Sequence, residues 1–105
     1  MEIHGRLNLG NLLVSKETSL RKLIDEGVRR LVIDVSRLDY IDSSGIGMLV
    51  GCNGYIEQHG GQMRIAGAQG LVAKSFSIVH LDRVVPLDAD VESACRNFPA
   101  GSAMA

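Results

Sequence analysis

Apolar residues recur at every second position between Ile3 and Leu9: Ile3, Gly5, Leu7 and Leu9 alternate with His4, Arg6 and Asn8. That is the period of a half-buried strand. The spacing then lengthens. Leu13, Leu20, Leu23 and Ile24 form one stripe, with Lys16, Glu17, Arg21, Lys22 and Asp25 on the wet side. This predicts a helix capped by Asn8 or Asn11, running to Glu26 and closed by Gly27. Leu31 to Val35 is short and β-branched, as a strand covered on both faces should be. A second helix is predicted from Ile46 to Gln58, burying Ile46, Leu49, Val50 and Ile56. Its Gly47, Gly51 and Gly54 suggest close packing against the sheet or loose local stability, before the chain turns at 59–61.

Gln62 to Ala66 reads as the next strand, with Met63 and Ile65 on one face. Residues 67–70 lead into a helix from Leu71 to Ile78 that offers Leu71, Val72, Phe76 and Val79 to the core. Val84 to Leu87 is read as a short strand whose Pro86 belongs on an edge. Asp88 or Asp90 caps a last helix that buries Val91, Ala94, Cys95 and Phe98, and Pro99 stops it. The order is β-α-β-α-β-α-β-α, with no internal repeat and no linker. Such alternation predicts an α/β fold with a mainly parallel four-stranded sheet flanked by helices.

The chain's 105 residues fit one core. Net charge is -1, basic residues are scattered, and 4% of residues are aromatic. These values give no electrostatic or stacking case for direct nucleic-acid binding. No apolar run approaches the roughly 20 residues that span a bilayer, and Met1-Glu2-Ile3-His4 lacks signal-peptide character. The expectation is a cytoplasmic protein that makes no membrane contact. Cys52 and Cys95 are far apart, and His4, His59 and His80 are isolated, so neither a metal nor a cofactor is expected.

The candidate chemistry lies in Leu38 to Gly51. Asp42, Ser43 and Ser44 fall where a loop enters a helix, a place rich in unpaired N–H groups and carrying the positive dipole end. A hydroxyl there can cap the helix, and a phosphate would be favoured electrostatically. Gly45 and Gly47 leave the first turn without bulk, so another protein could approach the seryl oxygen. The bland alternative is an N-cap followed by a turn.

Tyr40-Ile41-Asp42-Ser43-Ser44-Gly45-Ile46-Gly47 resembles the STAS domain of bacterial anti-sigma factor antagonists, with their Asp-Ser-Ser/Thr-Gly-hydrophobic-Gly signature at a strand–loop–helix junction. Arg30 to Ser36, Gly60 to Met63 and Gly5-Arg6-Leu7 are similar to the flanking segments. The resemblance covers residues 3–98, taken as one STAS domain, with 99–105 expected as a disordered tail outside it. It implies a non-enzymatic regulator with no catalytic residues. Ser43 would be phosphorylated by a partner serine kinase that is itself the anti-sigma factor. Asp42, Ser44, Gly45 and Gly47 would shape recognition, with Ser44 a neighbouring cap. The unmodified protein would bind its partner, the phosphorylated form would not, and a PP2C-type phosphatase would reset it. Asn11 and Arg37 are further guesses for the partner surface. Family members usually carry another strand before the position of Ile3. The sheet is therefore expected to be shortened at its N-terminal side, with an exposed edge or a neighbouring chain over it, which leaves a homodimer open.

Three rivals are weaker. Gly45-Ile46-Gly47 through Gly51 misses the dinucleotide fingerprint by one residue, and no acidic residue closes the following strand. A Gly-x-Ser-x-Gly elbow would need glycine at Ile41 for Ser43 or at Asp42 for Ser44, so neither frame fits a hydrolase. The third keeps the fold: a non-phosphorylated STAS subunit of a stressosome-type scaffold or of a lipid or anion transport complex.

Overall fold

The computed structural model describes residues 4–8 and 13–98, with side chains described from Thr18 onward. In chain order the elements are β1 (His4–Asn8), α1 (Leu13–Asp25), β2 (Arg30–Asp34), α2 (Ser43–Gln58), β3 (Gln62–Ala66) and α3 (Gly70–Ile78). A single 3-10 turn (Leu81–Arg83), β4 (Leu87–Asp88) and α4 (Val91–Asn97) follow. The expected capping by Asn11, the expectation about what precedes Ile3, and the Pro99 stop lie outside the described residues.

The four strands pair in sequence order, β1-β2-β3-β4, and every pairing is parallel. Side chains alternate across the sheet, and the two faces are covered unequally. Leu31, Ile33, Met63 and Ile65 point toward a core shared with Leu20 and Ile24 of α1, Leu49, Cys52 and Ile56 of α2, and Val72 and Phe76 of α3. On the opposite face, among the described residues, Val32 and Ala66 pack with Ala94, Phe98 and Val91 of the α4 segment. Leu20, Ile33, Leu49 and Ile65 of the larger core are fully buried. Truncating one of them to alanine costs about 2–5 kcal/mol.

Glycine ends α2 as the sequence suggested. Gly60 has φ +81, its N–H donates to Glu57 O, and the Gly61 N–H donates to Ile56 O at 2.8 Å. This is the paired-bond ending that a left-handed glycine permits. A Cβ on Gly61 would lie 2.7 Å from Arg29 O, so helix and β2 approach here with no room for a side chain. Gly27, at φ +113, closes α1 in the same manner.

Several expectations need correcting. Helix α2 starts at Ser43, not Ile46. Its buried side is Gly45, Met48, Leu49, Cys52, Asn53 and Ile56, whereas Val50 is exposed. Gly47 and Gly54 have nothing within 4 Å of an added Cβ, and Gly51 only the Arg21 guanidinium at 3.8 Å. These glycines face outward and do not serve packing against the sheet. Leu71 and Val79 of the α3 region are exposed. Cys95 is exposed as well, because α4 touches the sheet with a narrow stripe only. The strand read at Val84 to Leu87 shrinks to Leu87–Asp88, with Val84 exposed after the 3-10 turn.

Candidate functional site

The loop from Val35 to Asp42 carries the candidate serine, and buried side chains pin it. Leu38 and Ile41 are both under 5% exposed. The Ser36 N–H donates to Asp34 Oδ1 at 2.9 Å, and Gln69 Nε2 donates to Ser36 O at 3.1 Å, tying this loop to the one after β3. Gly67, at φ +82, lets that second loop close in, since a Cβ there would sit 2.9 Å from Ser36 Cβ. The helix start is therefore held from both sides.

Asp42 is the N-cap. Its backbone is extended, its Oδ1 accepts from the Gly45 N–H at 2.9 Å, and its carbonyl accepts the first helical bond from Ile46 N at 3.0 Å. That makes Ser43 and Ser44 the first two helical residues. The expectation that Ser44 caps is corrected: the Asp42 carboxylate two residues back is the cap and holds the Gly45 N–H. Both serines are exposed. Their N–H groups precede the first intrahelical bond and point out of the end of a 16-residue helix, where its dipole is positive. Among the described residues the Ser43 hydroxyl takes no hydrogen bond. Gly45 is buried, so its part is to receive the cap; Gly47 is exposed beside the serines.

Ser43 also borders a groove of about 240 Å³ between the first turn of α2 and the end of α3, lined by Ile41, Ile46, Ser75, Ile78 and Val79. Ile78 is 69% and Val79 50% exposed. Sequence reasoning missed Ser75, Ile78 and the groove itself. The available signal was a run of apolar residues, Ile78-Val79, continuing past the inner stripe of α3. Arg37 is exposed on the same loop, and Asn11 lies outside the described residues. No group of three His, Cys, Asp or Glu side chains arranged to hold a metal occurs among the described residues.

The sequence matches the STAS domain family over residues 1–94. The chain belongs to the STAS domain family. Among curated relatives, BtrV of Bordetella bronchiseptica, named for a candidate role as an anti-sigma factor antagonist, is 29% identical over 82 residues. The match covers 78% of this chain and 71% of that protein. The unphosphorylated form of the anti-sigma factor antagonist SpoIIAA superposes with a TM-score of 0.71 at 23% identity, covering 90% of this chain and 87% of that one. The STAS domain of a SulP transporter from Vibrio cholerae superposes with 0.76 at 16% identity, covering 87% and 77%. These structural likenesses establish the STAS fold and leave the choice of function to the site. No described helix is long and apolar enough to cross a membrane.

Proposed function

We propose that this STAS domain is an anti-sigma factor antagonist whose binding is switched by phosphorylation of Ser43. One observation carries the reading. The Ser43 hydroxyl is exposed, unused by the helix cap, and set in the wall of an apolar groove. The name of a curated relative, BtrV, supports the same role. In the proposed scheme the unmodified domain engages an anti-sigma factor serine kinase through Asp42, Ser43, Ser44, Gly47 and the groove. A PP2C-type phosphatase removes the phosphate. The domain acts by binding and has no catalytic residues of its own.

Phosphorylation places about -1.5 to -2 charges on one oxygen position. The open N–H groups of the first turn can accept that charge, so the fold persists. The neighbouring Asp42 carboxylate, and the loss of water that a partner seated on the groove would impose, oppose a tight contact once the charge is present. A penalty of about 2.8 kcal/mol on the complex is already a hundredfold loss of affinity.

The experiment is phosphopeptide mapping after incubation with host lysate and ATP, followed by capture of the kinase and titration with wild type, Ser43→Ala and Ser43→Asp. The expected result is one phosphate, on Ser43, and binding that survives alanine and falls at least tenfold with aspartate. Equal binding of the aspartate variant would refute the charge switch. An unmodified Ser43 in an active lysate would refute the phosphoacceptor.

A further inference from the structure

Asn53 is the polar residue on the inner side of α2, 5% exposed and set beside Leu49, Cys52 and Ile56. An amide in such a place is costly unless both of its ends are bonded. The nitrogen end is bonded. Nδ2 donates to Val84 O at 3.3 Å and lies 3.4 Å from Glu57 Oε1. Both of those atoms only accept, which fixes the orientation of the amide and turns Oδ1 away from them.

Among the described residues nothing donates to Asn53 Oδ1, yet the atom is not sealed in the core. Asn53 lines a cavity of about 260 Å³ between α2 and the edge of β3, together with Glu57, Met63, Arg64, Val84 and Pro86. Strand β4 pairs with β3 only at Ile65–Leu87 and Ala66–Asp88, and the cavity lies beside the earlier part of β3. The donor that Oδ1 lacks therefore comes by way of this cavity.

The other groups around it narrow the choice of donor. Val84 O keeps a second lone pair beside its bond from Asn53, and Glu57, exposed at the mouth, brings a carboxylate. These oxygens gather around a single amide, two of them within 3.4 Å of Nδ2. Arg64 directs its guanidinium to Asp88 at 2.7 Å and to Asn97 O at 3.4 Å, toward α4. Met63, Val84 and Pro86 supply apolar wall.

From this juxtaposition we infer that the cavity binds a primary ammonium group carried on a short aliphatic stem. An ammonium has three N–H donors and no acceptor on one compact atom, and its charge is offset by Glu57. A guanidinium spreads its donors in a flat fork that suits paired coplanar oxygens instead. Water or an alcohol can donate to Oδ1 but brings no charge to the carboxylate. A concave site with apolar walls and a few placed polar groups is the usual form of a small-molecule pocket. It lies about 21 Å from the start of α2, fourteen residues along the helix from Ser43 to Glu57, and is independent of the phosphorylation reading.

The test is a titration of the isotopically labelled protein at pH 7 with butylamine to about 20 mM, with 1-butanol and butyltrimethylammonium as matched probes. The Asn53 side-chain NH2 resonances are read by NMR. Butylamine is expected to shift them saturably. Butanol, which lacks the charge, and butyltrimethylammonium, which lacks the N–H donors, are expected to leave them in place. Glu57→Gln changes an exposed residue, should keep the dispersed spectrum of the folded domain, and is expected to weaken butylamine at least about tenfold. No shift at Asn53, meaning a cavity that holds water alone, would overturn the proposal. So would equal shifts with either matched probe, or unchanged affinity in folded Glu57→Gln.

Discussion

Replacing Asp42 by alanine removes the side chain that starts α2. The lost interaction is one bond, Oδ1 to the Gly45 N–H at 2.9 Å, together with a carboxylate at the positive end of the helix. Cap loss costs about 0.5–2 kcal/mol. Asp42 is exposed, so water takes over part of the orphaned donor and the lower half of that range applies. About 1 kcal/mol corresponds to about 4 °C in a domain of this size. Asp42→Asn keeps a capping oxygen and loses only the charge–dipole attraction, about 0.3–1 kcal/mol. Ser44→Ala removes no capping contact and should stay within about 0.5 kcal/mol of wild type. Urea and thermal unfolding of the three variants side by side measure the order. If Ser44→Ala fell as far as Asp42→Ala, or Asp42→Ala were neutral, the assignment of the cap to Asp42 would be wrong.

Burial works against ionisation of Asp88, yet the bonds from the Arg64 guanidinium and the Asn97 amide prevail and hold its carboxyl below the usual carboxylate value. A depressed folded-state pKa means that its stabilisation is full above the unfolded value and is lost as pH falls through the folded one. Acid unfolding below about pH 4 should therefore be less steep in Asp88→Asn than in wild type, as followed by circular dichroism. Among the glycines, Gly54→Ala meets no atom and replaces a poor helix former, so unfolding should show a gain of about 0.5–1 kcal/mol. Gly61→Ala drives a methyl against Arg29 O at 2.7 Å and should lose more than about 1 kcal/mol in the same assay.

Much of this arrangement was legible in the sequence because local rules coincide with the fold. Strand β3 was read to the residue, since Met63 and Ile65 alternate with polar neighbours between Gly61 and Gly67. Gly27 and Gly60 marked helix ends where only glycine is comfortable. The parallel sheet followed from strict alternation of elements. Val50 is apolar and so reads as an inner residue, while the inner face runs through Cys52 and Asn53, which carry little hydrophobic signal. Val84 failed for another reason. It precedes Pro86, which cannot extend the ladder, and the chain instead winds into the turn at Leu81–Arg83. The motif gave the place of Ser43 but not its groove, because Ile78 and Val79 look the same in sequence whether they line a core or a surface.

The unequal covering of the sheet has a consequence for how the protein emerges from the ribosome. Each strand lies beside the one made just before it, so three helices and their core can assemble as the chain lengthens. The face holding Val32 and Ala66 has no such provision. Its cover arrives with Ala94 and Phe98, on the order of a second after Asp88 is joined. During that interval Val32 and Ala66, set among Arg30, Asp34 and Arg64 on the same face, await their apolar cover. A ten-residue segment supplies it.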